Sequence, residues 1–478
     1  MRRLGVAFAA TAVSATLFLF GTGLRPTPWL TWLAPLPVLV LAPRVRARVT
    51  FLAAAIAWLG GETPLWGYLL RTVQVPPPLV VSILVGSALL FGLVVLLTRG
   101  LLLCGRPLAA VAALPAAWVV VEYATSVLSP NGAWWSLAYT QADVLPLLQA
   151  ASVTGPWGIT FLILGVPTVA AALLAPRAVG RGRVAVTAVV VLVLAAGYGT
   201  WRLRTPAGDG AERVALLATD RLFDPTPVDT PQGRELLAQY ATHIADAAAH
   251  GARVVVMPEK VFVADDRTLP ILRAPLARLA EEHHVDIIVG LVLERDGTFR
   301  NVAIDLPATG GRPVEYAKHH LVPGLEGDFT PGEQLAFVAG SGTRWGIAIC
   351  FDLDLPGLVR DYRRRGADTL FVPAWDFDRD AWLHGRMAVV RGVESGLTVV
   401  RAARNGDLVV SDAHGRIRAE AHSADGPFVS LLTTAPAAPA TTVYARLGDW
   451  FAWVCVLLLL TGVISLRRRP GTGAPTAG

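Results

Sequence analysis

Three residues in the second half of the chain could do chemistry by type and position: Glu259, Lys318 and Cys350. Glu259 follows Val254-Val255-Val256-Met257-Pro258, Lys318 follows Val314-Glu315-Tyr316-Ala317, and Cys350 follows Gly346-Ile347-Ala348-Ile349. Each ends an apolar strand or sits just after one, and strand ends are where layered α/β folds bring catalytic groups together. A thiol becomes nucleophilic when a base takes its proton, and a carboxylate can be that base in a site dry enough to raise its proton affinity. Glu259 is the candidate. An ammonium beside the reacting carbonyl favours both the thiolate and the tetrahedral oxyanion, together with the backbone N–H after the nucleophile. Lys318 and the amide of Phe351 suit those parts. A cysteine closing an apolar strand is more often a small core residue, so spacing alone leaves both readings open.

Other chemistries find less support. No G-x-G-x-x-G follows a strand and no G-x-x-x-x-G-K-[ST] occurs, so no nucleotide cofactor is expected. The pairs His283-His284 and His319-His320 lack a carboxylate at a usual zinc spacing, and adjacent residues of a strand point to opposite faces. No metal is expected. The formal net charge is +6, but the arginines of the first half form short clusters between apolar runs and no basic patch carries interleaved aromatics, which argues against nucleic acid. Of three cysteines, Cys104 and Cys455 fall in or beside apolar segments, so a disulfide framework is not expected.

The elements that must position these residues divide unevenly. With 53% hydrophobic and 16% charged residues, the chain is too apolar for an ordinary soluble protein of 478 residues. Residues 1–204 read as an N-terminal transmembrane domain of about seven helices, 205–445 as a catalytic domain, and 446–478 as a final transmembrane helix with a basic tail. At about 20 apolar residues per span, segments fit near 4–21, 29–43, 49–69, 79–98, 108–128, 157–175, 184–201 and 449–466. The first also fits a signal peptide, although the spans that follow make a retained helix the simpler reading.

Short cytoplasmic loops carry the Lys and Arg excess. Alternate loops hold Arg2 and Arg3, then Arg44, Arg46 and Arg48, then Arg99 and Arg106, then Arg177, Arg181 and Arg183, and the tail holds Arg467, Arg468 and Arg469. The opposite loops have little beyond Arg25 and Arg71. Seven passes from a cytoplasmic N-terminus put residues 205–445 on the extracytoplasmic side of a cell membrane.

The loop 129–156 carries Trp134, Trp135 and Tyr139, with Trp157 just beyond, which suits a headgroup-level aromatic belt; it could instead wall a lipid access path. Glu122 lies in an apolar run, where an ionisable group is suspect for function unless it snorkels from the helix end. From residue 213, β-rich runs alternate with polar helical stretches, the rhythm of a layered α/β domain. Strands fit at 213–219, 252–257, 286–293, 299–305, 345–350, 369–373, 398–402, 408–412 and 426–432. Helices fit at 231–250, 268–284, 355–365 and 379–395.

The segments Met257-Pro258-Glu259, Tyr316 through Pro323 and Ile349-Cys350-Phe351-Asp352 resemble the three signature blocks of the nitrilase superfamily, and the chain as a whole is similar to its membrane-bound apolipoprotein N-acyltransferases. Further matches are Gly132-Ala133-Trp134-Trp135, Tyr139-Thr140-Gln141, Gln149, Gly155 and Tyr444 through Trp450. Trp382 through Arg391, Glu394 and Arg401 also resemble the family, although charges at such spacings are commonly a solvated helix face.

The resemblance implies a multi-pass helical membrane domain carrying an αββα nitrilase-like sandwich. It implies a Glu259, Lys318, Cys350 triad, with Glu326, Asp352 and Phe351 supporting it. The implied donor is a phospholipid and the implied acceptor the N-terminal amine of diacylglyceryl-modified lipoproteins, with no cofactor. The chain departs from the family where Phe351 and Asp352 replace Tyr and Glu, at Arg404 before Asn405-Gly406, in the loop 324–329, and in lacking an arginine after Glu122. A membrane-tethered nitrilase-type amidohydrolase and a non-catalytic lipoprotein-binding paralogue are the rival readings.

Overall fold

The computed structural model describes residues 2–176, 180–206, 208, 210–220, 224–340 and 344–467; Arg177, Arg468 and Arg469 lie outside them. Among the described residues, six helices are long and apolar enough to cross a membrane: Leu4–Gly21, Pro77–Leu103, Pro107–Leu128, Pro156–Leu173, Arg181–Arg204 and Trp450–Arg467. Two of the eight expected spans differ. The segment expected at 29–43 is split into Pro28–Leu33 and Leu36–Leu41, because Pro35 and Pro37 each lack an N–H donor. The segment expected at 49–69 is the helix Ala47–Gly61, followed after Glu62 by the short turns Thr63–Gly67 and Tyr68–Thr72.

The arginines between these helices gather at one end of the bundle. Arg44 donates to Leu174 O (2.5 Å), Arg99 to Ala42 O (3.0 Å) and Val45 O (2.9 Å), and Arg106 to Ser465 O. The opposite end meets the sheet domain, where one continuous apolar core joins Trp58, Trp118, Tyr139 and Ile163 to Leu383, Met387, Val390 and Val393.

The sheet domain is a sandwich. In one sheet the order is Val429–Pro436, Ala211–Ala218, Val254–Val256, Asp286–Arg295, with Thr298–Leu306 and Val314–Ala317 beyond. The other runs Ile417–His422, Asp407–Ser411, Thr398–Arg404, Thr369–Trp375, Arg344–Ile347, Ala336–Ala339. Period-two alternation builds it: Val214, Leu216, Val254 and Val256 face the second sheet, while Ala215, Leu217, Val255 and Met257 face the helices Pro231–Ala249 and Leu269–His283. The nine expected strands and four expected helices are present with small shifts of boundary. Val314–Ala317 is the expected strand before Lys318, and three short strands of four to six residues, Phe262–Asp265, Ala336–Ala339 and Ile417–His422, add to the expected set.

The helix Ala381–Ser395 corrects the expectation of a solvated charged face. From Gly385 to Ser395 every residue is buried, because the helix is covered by its sheet on one side and by the membrane part on the other. Arg391 is fully enclosed, bonded to Glu394 (2.6 Å) and to the Tyr139 hydroxyl, and Arg386 pairs with Asp143 (2.6 Å). The aromatic-belt expectation also fails for Tyr139 and Trp157, both 1% exposed; Trp157 instead donates to Asp449 (2.9 Å). Glu122 does not snorkel. Its carboxylate accepts from Ser136 Oγ (2.8 Å), Leu137 N (2.9 Å) and Thr160 Oγ1 (2.8 Å), which fastens the loop 129–156 to the bundle.

Removing one partner of a buried ion pair strands the other. Arg391→Met should therefore destabilise the protein by about 3–5 kcal/mol, read as a large fall in the thermal midpoint in detergent, whereas Arg386→Met at the half-open pair should cost far less.

Candidate active site

The chain builds the site from a break in one sheet and a turn in the other. Val254–Val256 pairs with residues 286–288 of the long strand, and Phe262–Asp265 pairs with 291–294 along the same edge. Residues 257–261 are the interruption, and Glu259 stands in it. Opposite lies Gly290, where a Cβ would come within 2.2 Å of Pro258 O and 2.9 Å of Glu259 Cα. Glycine is required there by close backbone approach.

Lys318 follows the strand Val314–Ala317, its N–H bonded to Asn301 O (2.8 Å) of the neighbouring strand. Cys350 comes from the second sheet, at the head of the short 3₁₀ turn Cys350–Asp354. Its φ is +43°, a left-handed conformation that costs a non-glycine residue free energy and occurs where function demands it. The thiol donates to Trp375 O (3.5 Å), and Glu259 N–H reaches across the sandwich to Ala374 O (3.3 Å). The structure thus brings Glu259, Lys318 and Cys350 together.

The Lys318 ammonium is 1% exposed and lies 2.9 Å from Glu259 Oε1 and 2.9 Å from Glu326 Oε2. Burial alone would discharge it, but the two carboxylates more than offset this and hold its proton more tightly than usual. Burial pushes the Cys350 thiol well up, the Glu259 carboxylate adds to this, and Lys318 pulls it partly back. The thiol is therefore protonated at rest, and it could act as a nucleophile only if a base took its proton.

Of the supporting residues, Glu326 accepts from Lys318, Lys260 (2.8 Å), Asn301 (2.8 Å) and Val322 N (2.9 Å). Asp352 is a clip between the two sheets. It accepts from Tyr316 Oη (2.7 Å), His320 N (2.9 Å) and Ile349 N (2.9 Å), so it ties the Lys318 segment to the Cys350 turn. Its shorter side chain still reaches all three partners. Phe351 is half-buried and follows Cys350 directly, so its N–H belongs to the unbonded first turn of a helix. His320 leans on Asp352 (3.3 Å) and His319 stacks on Tyr316, so the histidine pair serves packing and the clip.

Residues outside the expected triad and its expected supports complete the site. Asn301, fully buried, bridges Glu259 (2.5 Å) and Glu326 (2.8 Å) through one amide nitrogen; its only signal was a polar residue within an apolar strand. Trp375 lies between the Arg404 guanidinium (4.0 Å from the ring) and the Lys260 ammonium (5.2 Å), so it packs cations. Behind Cys350 runs a buried chain. Arg401 pairs with Asp376 (2.5 Å), His384 lies between Asp376 (3.3 Å) and Asp380 (3.4 Å), and the Tyr68 hydroxyl of the membrane part donates to Asp380. Burial would lower the His384 pKa, but Asp380 and Asp376 raise it to about 9.

The matches to known proteins follow this geometry. Residues 218–458 match the carbon-nitrogen hydrolase family, and residues 14–169 match the apolipoprotein N-acyltransferase N-terminal domain. The chain belongs to the carbon-nitrogen hydrolase family, among its apolipoprotein N-acyltransferases. It is 29% identical to the apolipoprotein N-acyltransferase of Geobacter metallireducens, covering 92% of this chain and 91% of that protein. The enzyme of the same name from Gloeobacter violaceus is 27% identical, with 98% and 96% covered. An amidase from Nesterenkonia sp. AN1, solved with an acetamide moiety on its active-site cysteine, overlays with a TM-score of 0.43 at 21% identity, covering 52% of this chain and 99% of that one. The acyltransferase family blocks lie where the two parts touch. Ala133 N–H donates to Asp354 O (2.7 Å) in the Cys350–Asp354 turn, Gln149 to His414 O (2.9 Å), and the Tyr444 hydroxyl to Asp449 (2.8 Å).

Gly290→Ala should displace Glu259, cutting thioester formation at least about tenfold and costing roughly 1–3 kcal/mol in stability, measured as single-turnover adduct and thermal midpoint. A second expectation concerns pH. The folded pKa of His384 is raised above its unfolded value, so its contribution to stability is complete below about pH 6.5 and is lost as pH rises through about 9. The thermal midpoint should fall across that window, and His384→Gln should lack this component.

Proposed function

We propose that this protein moves an acyl chain from a membrane phospholipid, through a thioester on Cys350, to the N-terminal amine of diacylglyceryl-cysteine in lipoproteins. The observation that carries this reading is the buried Glu259, Lys318 and Cys350 cluster on a domain whose core is continuous with a membrane bundle. Both substrates are then lipids of the same bilayer. A catalytic domain fixed beside that bilayer meets them at high local concentration and in a restricted orientation.

In the first step Glu259 takes the Cys350 proton as sulfur forms its bond to the ester carbonyl carbon. Asn301 and Lys318 both hold Oε1 of Glu259, and Oε2 is the oxygen we assign to the proton. The oxyanion is met by the Lys318 ammonium and the Phe351 N–H. Collapse breaks the ester C–O bond, Glu259 returns the proton to the leaving alcohol, and a lysophospholipid departs. In the second step the acceptor amine attacks the thioester carbonyl and gives its proton to Glu259. The C–S bond breaks, the amide forms, and the proton returns to sulfur. Glu326 and Asp352 hold Lys318 and the nucleophile turn in register.

The Arg44, Arg99 and Arg106 end of the bundle lies opposite the sheet domain. Counting 28–41 and 47–72 as one pass each gives seven passes before residue 205, which assigns the basic end to the cytoplasm and the catalytic domain to the extracytoplasmic side. With that count we divide the chain at 1–204, 205–445 and 446–478.

Incubation with phospholipid should add an acyl-sized mass to Cys350 in the wild type and none in Cys350→Ala, and a diacylated lipopeptide with a free amine should then collect that mass. Release to water alone would make the protein a hydrolase, and absence of any adduct would leave a binding protein.

A further inference from the structure

Glu259 and Lys260 are neighbours in the sequence, and extended backbone would aim them at opposite faces. Lys260 instead has φ +50°, a left-handed conformation that a non-glycine residue adopts only where the surroundings hold it there. The consequence is that both side chains turn to the same place. The Lys260 ammonium lies 2.8 Å from Glu326 Oε1 and 3.8 Å from Glu259 Oε1, flanked by the rings of Phe329 (5.4 Å) and Trp375 (5.2 Å). Its carbonyl accepts from Arg404 (3.2 Å). Trp375 in turn supplies the carbonyl that receives the Cys350 thiol.

Charge explains the need for it. Lys318 alone faces two carboxylates, Glu259 and Glu326, so that trio carries one net negative charge beside a sulfur that must become anionic. Lys260 supplies the missing positive charge. Of the other charged groups around Cys350, Asp376 pairs with Arg401 and, together with Asp380, holds His384, so these four sum to no net charge, while Arg404 stacks on the Trp375 ring and donates to the Lys260 carbonyl.

We propose that Lys260 is a positioning residue of acyl transfer: it neutralises and anchors Glu326, so that the Lys318 ammonium is left to the thiolate and the oxyanion. The proposal rests on the acyl-transfer reading for its place in the reaction, but its electrostatic content holds for Cys350 in any reaction.

The test is the pH profile of Cys350 alkylation by iodoacetamide, followed by mass spectrometry on the full chain in detergent. Lys260→Met should raise the apparent pKa of alkylation by about one unit, the lower end of what a neighbouring charge does. Thioester formation from phospholipid at neutral pH should fall about tenfold in step with it. Lys260→Arg should stay close to wild type. The double variant Lys260→Met with Glu326→Gln, which removes one charge of each sign, should bring the alkylation pKa back toward wild type, a recovery that a purely structural role would not produce. If Lys260→Met folds poorly, Lys260→Gln gives the same comparison. An unchanged alkylation profile in the single variants, or no recovery in the double one, overturns the proposal. Alkylation needs no lipid, so a wild-type protein that never forms the acyl adduct would sink the acyl-transfer reading while the alkylation profile still judges Lys260.

Discussion

A lysine ammonium buried between two carboxylates sets the terms for the rest of the domain. Lys318 could not stay charged at 1% exposure without Glu259 and Glu326 at 2.9 Å each, because an isolated ammonium in such a place would lose its proton. The two carboxylates need further donors of their own, which Asn301, Lys260 and the Val322 N–H supply. Holding that many polar groups in one geometry takes rigid elements on every side. The long strand Asp286–Arg295 carries the broken strand with Glu259, its neighbour Thr298–Leu306 carries Asn301, and Val314–Ala317 delivers Lys318.

Cys350 belongs to the other sheet, so the cluster exists only as long as the sandwich is in register. Asp352 provides that register with three hydrogen bonds, two of them to the Lys318 segment. Polar groups so enclosed are costly to leave unpaired, so a slip of one sheet against the other is penalised at this point as well as in the apolar core. The departure from glutamate to aspartate keeps the function of the clip because the turn comes close enough for the shorter chain.

The membrane part supports the site from below as well as tethering it. The loop anchored by Glu122 rests on the Cys350–Asp354 turn through Ala133 and Asp354, and Gly132 allows the approach, since a Cβ there would lie 2.5 Å from Asp354 O. Tyr68 enters the Asp380, His384, Asp376, Arg401 chain behind Cys350. Such contacts explain why the helix Ala381–Ser395 is buried all round, and why charges that would be solvated in a free domain are instead ion pairs at an internal boundary.

Much of this was legible in the chain itself. Apolar runs separated by arginine clusters dictate a membrane bundle with one basic end, because hydrocarbon solvates long apolar helices and excludes charge. Period-two runs ending in Glu259, Lys318 and Cys350 dictate strands with those groups at their ends, because side-chain direction alternates along extended backbone. Other features depended on what lies nearby in space. Pro35 and Pro37 broke an expected span, and a surrounding core turned Tyr139, Trp157 and the charged helix inward. Asn301 and Lys260 joined the site because a neighbouring strand and a left-handed φ placed them there, and neither distance nor backbone sign is written in residue types. The sequence by itself determined which groups could react and which surfaces must avoid water; only the tertiary structure decided which charges pair, because pairing depends on separations of a few ångströms between residues far apart in the chain.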